Sequence, residues 1–271
     1  MVLDKIVIFD TTMRDGELTP KVSMNLQQKI SIATLLEAIG VDVIEVGYPG
    51  RYDKDFQEIF EISKIIKNSF VCGLASSDKA EIIRVAEAIK PASRGRINIF
   101  TLVNLNCKLH EQTLSEINAS VSLVRDYCKD IEWNAFDATR SEPDFLYKAI
   151  EVAINSGATT ITIPDSLGLA KPEEFLQLLE SIFHRVPNIG KAIVAVHCHD
   201  DLGIAVDNSI VGLSCGVRQI EYSINGLGAR KGNADLKEIV ERISKTYPVN
   251  IDTSLIDQAS KLVTQITEIT H

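Results

Sequence analysis

Five cysteines in 271 residues are too few and too scattered to staple this chain. Cys72, Cys107, Cys128, Cys198 and Cys215 are odd in number, and no two stand at CxxC spacing. That usage points to reduced thiols and a cytoplasmic protein rather than a disulfide framework. No apolar run approaches the roughly 20 residues of a membrane span, and the opening Met1-Val2-Leu3-Asp4-Lys5 lacks the pattern of a secretory signal. An excess of basic residues is missing too. Against 37 Asp and Glu stand 28 Lys and Arg, for a formal net charge of −9. Such a surface argues against nucleic acid and anionic membranes as partners, while leaving a local basic cleft open to a small anionic substrate. No low-complexity linker divides the chain, and no glycine-rich turn follows Phe9 as a doubly wound dinucleotide-binding sheet would require.

What is present is an alternation. Short β-branched runs occur at Lys5–Phe9, Val43–Val46, Phe70–Leu74, Ile97–Leu102, Ile131–Asn134, Thr159–Ile163, Ala192–His197 and Val217–Ile224. Between them lie segments of helical spacing at Asn25–Ile39, Asp55–Ile66, Lys79–Ile89, Glu111–Tyr127, Pro143–Asn155, Pro172–Phe183, Ile204–Ser214 and Ala234–Ser244. Gly40, Gly157 and Gly216 stand where C-cap glycines belong, and Pro143 and Pro172 stand near helix starts. Eight strand–helix units in about 250 residues is the count of a (β/α)8 TIM barrel, an α/β fold. The segment Asp252–Ile269 predicts one extra C-terminal helix. The expected organisation is therefore a catalytic barrel over residues 1–250 and a helical extension over 251–271.

In such a barrel the site lies at the C-terminal strand ends, and the polar residues gather there. Strand one runs into Asp10, Arg14 and Asp15, strand two carries Glu45, and strand five leads to Asn134 and Asp137. Strand six leads to Asp165 and Ser166, strand seven to His197 and His199, and strand eight to Asn225. Residues i and i+2 of a strand point the same way, so His197 and His199 project together, as two metal-binding imidazoles must. Asp15 is the expected carboxylate of a half-filled shell with room for water and a bidentate substrate. Cys198, between the histidines, should face away and pack.

Arg14 can stabilise developing oxyanion charge or form an ion pair with Asp15 or Glu45. Glu45, a buried carboxylate in need of a partner, can orient Arg14 or a metal-bound water, or serve as a structural ion pair. The glycine-rich stretch Asn225–Asn233 precedes a helix, where Asn233 can either cap that helix or offer its amide oxygen to the metal. Arg230 and Lys231 can meet an acidic cofactor tail or form a solvated basic turn.

These segments, in this order, resemble the DRE-type TIM-barrel metallolyases from Lys5 to Val240. The resemblance is carried by Asp10–Glu17, Ile44–Pro49, Asp137–Ser141, Ile163–Gly168, His197–Gly203 and Gly226–Asn233. It is strongest to the isopropylmalate, homocitrate and citramalate synthase group. It implies a divalent ion (Mn, Mg or Zn) held by Asp15, His197 and His199 with Asn233 close, Arg14 polarising the substrate carbonyl, and Ser166 touching the keto-acid carboxylate. It implies a Claisen-type condensation of an acyl-CoA, acetyl-CoA first, with a small 2-oxo acid, followed by thioester hydrolysis in a homodimer. A 4-hydroxy-2-oxovalerate aldolase or hydroxymethylglutaryl-CoA lyase activity is the alternative on the same core, and a non-catalytic binding subunit a third.

Departures are specific. Phe136 stands where the synthases carry a glutamate before Asp137, which turns a pocket carboxylate into an apolar wall. Ala229 replaces a glutamate before Arg230, and Leu18 a glutamine after Glu17. The chain ends soon after the barrel, so a regulatory domain and feedback inhibition by an amino acid are not expected.

Overall fold

The computed structural model describes residues 5–268. Eight parallel strands close into one barrel in sequence order, with β1 pairing both β2 and β8. The strands are β1 (Val7–Asp10), β2 (Val43–Gly47), β3 (Phe70–Ser76), β4 (Gly95–Leu102), β5 (Asp130–Phe136), β6 (Thr160–Asp165), β7 (Ile193–Cys198) and β8 (Gln219–Tyr222). The helices around them are α1 (Leu26–Ile39), α2 (Asp53–Ile65), α3 (Lys79–Ile89), α4 (His110–Val124), α5 (Pro143–Ser156), α6 (Pro172–Arg185), α7 (Ala205–Val211), α8 (Leu236–Ile243) and α9 (Ile256–Thr267). The predicted (β/α)8 barrel with an added C-terminal helix is the observed fold.

Local chemistry sets the element ends. Asn25 and Gln28 form a reciprocal capping box at the start of α1, and Gly40 closes that helix at φ 95°. A Cβ there would lie 2.2 Å from the Asn250 carbonyl oxygen, so the left-handed C-cap also admits the chain that returns beneath it. Pro143 opens α5, and Gly157 ends it. Several expected helices are shorter than their patterns, including α4, which ends at Val124 rather than Tyr127, and α9, which begins at Ile256 rather than Asp252. The segment after Ile204 tightens at Val211 into a 3₁₀ turn, Gly212–Ser214. The helix expected from Ala234 begins only at Leu236, because Asp235 is its N-cap and accepts from the Glu238 amide. Ile269, expected to close the last helix, lies outside the described residues. Where described, α9 packs its buried Ile256, Ala259 and Val263 toward α1 and the turn after β8.

Two layers of packing hold the barrel. Outward-facing aliphatic residues such as Ile44, Val46, Ile97, Ile99, Ile161, Ile163, Val194 and Val196 form one continuous core with the helices. The inward-facing residues close the N-terminal end with a small cluster of Phe9, Val43 and Cys72. Above it the interior is polar. Arg96 binds Glu132 and Gln219, Thr162 meets Glu132 and Glu221, and Asn98 donates to Glu45. Barrel interiors of this kind are more often filled by branched apolar residues. A buried polar set is tolerated here because its charged members are paired with one another, while Asn98 Oδ1 is left without a partner.

Candidate active site

Immediately after β1 the chain makes a tight turn in which the amides of Arg14, Asp15 and Gly16 all reach the Thr11 carbonyl. Asp10 pins this turn by accepting from the Thr12 amide (2.9 Å) and hydroxyl (2.8 Å). The Thr12 hydroxyl also accepts from the Ile224 amide at 2.8 Å, which ties the loop after β1 to the loop after β8. Arg14 and Asp15 are thereby delivered side by side at the mouth.

Asp15, His197 and His199 present one potential ligand atom each, all within 4.8 Å of one another, and all three residues are buried. The histidine rings lie 5.0 Å apart at 71°. Each has its Nδ1 engaged away from Asp15. His197 Nδ1 lies 3.0 Å from Glu221 Oε2, and His199 Nδ1 lies 3.2 Å from the Gly232 carbonyl. Both contacts want an N–H at Nδ1, which leaves each Nε2 with a free lone pair. Burial pushes both imidazoles below their ordinary range, His199 to about 4, so both are neutral, as metal ligands must be. Burial alone would raise the Asp15 carboxyl. The Arg14 guanidinium and the amide of Asn233 oppose it and hold Asp15 well below the usual carboxylate range.

Asn233 arrives through an antiparallel bridge with His199, with the Asp200 amide on the Gly232 carbonyl and the Ala234 amide on the Cys198 carbonyl. Its Nδ2 donates to Asp15 Oδ2 at 2.7 Å and to the Leu227 carbonyl at 2.9 Å. Its Oδ1 is buried with no hydrogen-bond partner. The two readings left open for Asn233 are thus separated: Asp235 caps α8, and Asn233 stands beside Asp15 with an orphaned acceptor. Such an oxygen is costly unless a cation or donor meets it. One carboxylate, two neutral imidazoles and one amide oxygen fit a divalent ion.

Gly228 and Gly232 make this approach possible. A Cβ at Gly228 would lie 2.3 Å from Asn233 Nδ2 and 2.8 Å from Asp15 Oδ2. Gly232 adopts φ 103°, with the Gly226 carbonyl oxygen 2.1 Å from where a Cβ would be.

Arg14 makes both of the ion pairs its position allowed. NH1 binds Asp15 Oδ1 and Nε binds Glu45 Oε2, each at 2.6 Å. The Glu45 carboxylate is completed by the Thr11 hydroxyl at 2.7 Å and Asn98 Nδ2 at 3.1 Å. Glu45 is wholly buried behind Arg14 and does not line the cavity.

That cavity, of about 640 Å3, is lined by Arg14, Asp15, Asn134, Phe136, Ser166, His197 and His199 among others. Seven of the nine expected site residues therefore share one surface, with Glu45 and Asn233 directly behind it. Ser166 Oγ accepts from the Asp137 amide at 2.9 Å, which leaves its proton free to donate into the cavity.

Four polar residues that the pattern gathers at the mouth do other work. Asp10 holds its own turn, as above. Asp137, at φ 69°, is held by Asn104 and Arg140. Asp165 accepts from the Leu169 and Ala170 amides, and Asn225 turns to Ser260 and Thr264 on α9. Arg230 binds Asp201 and the Ser166 carbonyl. Cys198 is buried in the outer core, as expected of a residue between two inward-facing ones. Glu221, the partner of His197, was not among the expected site residues. Its signal was a charged residue two positions after Gln219 in a buried strand.

A family model described as HMGL-like matches residues 5–263. The 2-isopropylmalate synthase of Rhodopseudomonas palustris (strain HaA2) is 46% identical over 275 residues, covering 97% of this chain and 52% of the relative. That of Methylorubrum populi (strain ATCC BAA-705 / NCIMB 13946 / BJ001) is 45% identical over 271 residues, covering 96% and 52%. The chain thus spans about half the length of these curated relatives. Among solved structures, the HMG-CoA lyase of Bacillus subtilis superposes with a TM-score of 0.82 at 18% identity, covering 99% of this chain and 96% of that one. An HMG-CoA lyase from Acinetobacter baumannii, in complex with coenzyme A and 3-methylmalate, gives 0.83 at 17% identity, covering 99% and 93%. At such identity these two establish the barrel and nothing of its chemistry. The sequence resemblance to the isopropylmalate synthase group of DRE-type metallolyases holds, and the chain belongs to the HMGL-like family.

Proposed function

We propose that this chain is the catalytic barrel of a divalent-metal-dependent acyltransferase that condenses an acyl-CoA, acetyl-CoA first, with a small 2-oxo acid. The observation that carries the reading is the joint placement of Asp15, His197 and His199 beside Arg14 at one cavity. The 46% identity to 2-isopropylmalate synthases supports the acyl-transfer chemistry over other uses of the same barrel. Residues 1–250 form the catalytic unit in this reading, with 251–271 as an extension whose helix α9 packs against α1. Five unpaired cysteines suit a reducing, cytoplasmic setting, and no helix among the described residues is long and apolar enough to cross a membrane. A homodimer is the proposed assembly.

In the reaction, the acyl-CoA methyl carbon loses a proton and bonds to the keto carbon of the 2-oxo acid. The keto oxygen takes up a proton, and water then cleaves the thioester to release CoA. A divalent ion held by Asp15, His197, His199 and Asn233 would supply Lewis acidity at the 2-oxo acid.

The protein's own groups do the rest. Arg14, fixed on two sides by Glu45 and Asp15, offers its remaining N–H groups to the oxygen on which charge develops. Because the guanidinium is already oriented, little reorganisation is needed as that charge appears. Glu45 is a positioning residue for Arg14. The Ser166 hydroxyl donates to the substrate carboxylate, and Asn134 and Phe136 form the wall the substrate meets.

The test is CoA release by purified protein with Mn2+, Mg2+ or Zn2+, acetyl-CoA and a panel of 2-oxo acids. Release that requires a 2-oxo acid and falls at least about 100-fold in Arg14→Ala, the scale of one lost oxyanion donor, is the expected result. Silence of metal-loaded protein across the panel would refute the condensing activity.

A further inference from the structure

Four apolar side chains stand across the mouth from the metal-binding group. Tyr48 follows β2, Leu74 lies on β3, Phe100 on β4 and Phe136 at the end of β5, and all four line the cavity. In a barrel closed in the order β1 to β8, β3, β4 and β5 face β7, β8 and β1, which carry or lead to His197, His199, Asn233 and Asp15. A 2-oxo acid whose carboxylate and keto oxygens sit at Asp15, His197 and Arg14 therefore sends its side chain onto this wall.

The wall is aromatic, and it is incomplete. Tyr48 and Phe100 meet edge to face with centroids 5.9 Å apart at 87°, and Phe100 meets Phe136 at 6.0 Å and 64°. The chain of rings stops at Phe136, which is 46% exposed. Tyr48 adds no polar group, because its hydroxyl donates to Glu81 at 2.7 Å, away from the other rings. None of the lining residues from β3, β4 and β5 is charged. Asn134, two residues deeper on β5, has an Oδ1 that is buried and without a partner.

We propose that the 2-oxo acid taken by this site carries a large flat apolar side chain, an arylmethyl group, and that Phe136 sets that preference. This rests on the condensing reading above. A guest ring extends the edge-to-face series beyond Phe136, worth about two- to tenfold over its area burial alone. A methyl side chain leaves the rings uncovered, and a carboxyethyl side chain sets its charge against rings on β4 and β5, where no lining residue is a cation, while Arg51 and Lys54 line the cavity on the β2 side.

The experiment measures CoA release with acetyl-CoA and Mn2+ for 2-oxo acids bearing methyl, isopropyl, benzyl and carboxyethyl side chains. Ligand-induced shifts in thermal unfolding are recorded for the same four acids with Mn2+ alone. The expected kcat/KM and binding order is benzyl, isopropyl, methyl, carboxyethyl, with benzyl over methyl by at least about tenfold. Phe136→Ala is expected to lower kcat/KM for the benzyl acid about tenfold or more and to change the methyl acid less than about threefold. Phe136→Tyr, which keeps the ring, should restore most of the benzyl preference. Release led by the methyl or carboxyethyl acid leaves the condensing activity standing and overturns the proposal. So does a Phe136→Ala effect that follows the acyl-CoA rather than the 2-oxo acid. Release and binding with none of the four removes the condensing reading, and the proposal with it.

Discussion

Glu221 Oε2 lies 3.0 Å from His197 Nδ1, and both groups are buried inside the barrel. The contact fixes the ring's tautomer and turns Nε2 toward Asp15. Replacing such a partner typically costs a metal site about 10–100-fold in affinity. Glu221→Gln keeps the volume and one acceptor but loses the charge, so its Mn2+ or Zn2+ affinity is expected to fall about tenfold, at the mild end of that range. Titration calorimetry on the apo-protein reads it. An unchanged affinity would mean that Glu221 does not support His197.

Thr162 Oγ1 is 2.8 Å from Glu132 Oε1 and 2.8 Å from Glu221 Oε1. One hydroxyl proton cannot serve two carboxylates, so the pair is satisfied with a further proton on Glu132, donated to Thr162. Burial, reinforced by Glu221 and opposed by Arg96, pushes the Glu132 carboxyl up to about 8. Its other oxygen accepts from Arg96 at 2.8 Å and Gln219 at 3.1 Å.

Glutamine reproduces that protonated pattern. Because the folded value lies above the unfolded one, the native state holds the extra proton. Stability is then present at low pH and lost as pH rises toward 8. In Glu132→Gln that loss is absent. Between about pH 5 and 8 the wild-type unfolding free energy should fall relative to the variant by up to about 1.4 kcal/mol per pH unit. Denaturant melts at four pH values decide it, and parallel pH profiles would show that Glu132 is ionised throughout.

Gly228→Ala tests the loop that carries Asn233. Its new methyl would overlap Asn233 Nδ2 and crowd Asp15 Oδ2. The expected outcome is an unaltered far-UV circular dichroism spectrum with divalent-ion affinity lowered at least about tenfold, as for loss of an outer-shell support. Full affinity would show that the loop is free to move away from Asp15.

Lys29 is a buried ammonium held by Glu17 Oε2 (2.8 Å), Glu58 Oε2 (2.7 Å) and the Val46 carbonyl (3.0 Å). The ammonium donates to the Val46 carbonyl and lies at ion-pair distance from both carboxylates, so the acidic cluster of Glu17, Asp55 and Glu58 already holds a cation in Lys29. Lys29→Met strands those carboxylates and should destabilise the fold by about 3–5 kcal/mol, with partial recovery in Lys29→Met/Glu58→Gln. A loss below about 1 kcal/mol in urea melts would place the pair among weak surface ion pairs.

The sequence by itself determined the elements and singled out the residues of the candidate metal-binding group. Period-2 and period-3.6 apolar patterns, closed by glycine and proline, are local signals, and α3 runs over Lys79–Ile89, the bounds its spacing predicts. His197 and His199 were legible because a strand's alternation puts i and i+2 on one face whatever the fold does. Only the tertiary structure decided which polar residues at the strand ends face the cavity. Asp15 and Asp165 both follow apolar strands in the sequence. The first meets two imidazoles from β7, two strands away around the closed barrel, while the second accepts amides from its own loop. Glu45, Glu221 and Asn233 take their roles from contacts 24 to 218 residues away. Such contacts depend on barrel closure and strand register, which no local pattern encodes.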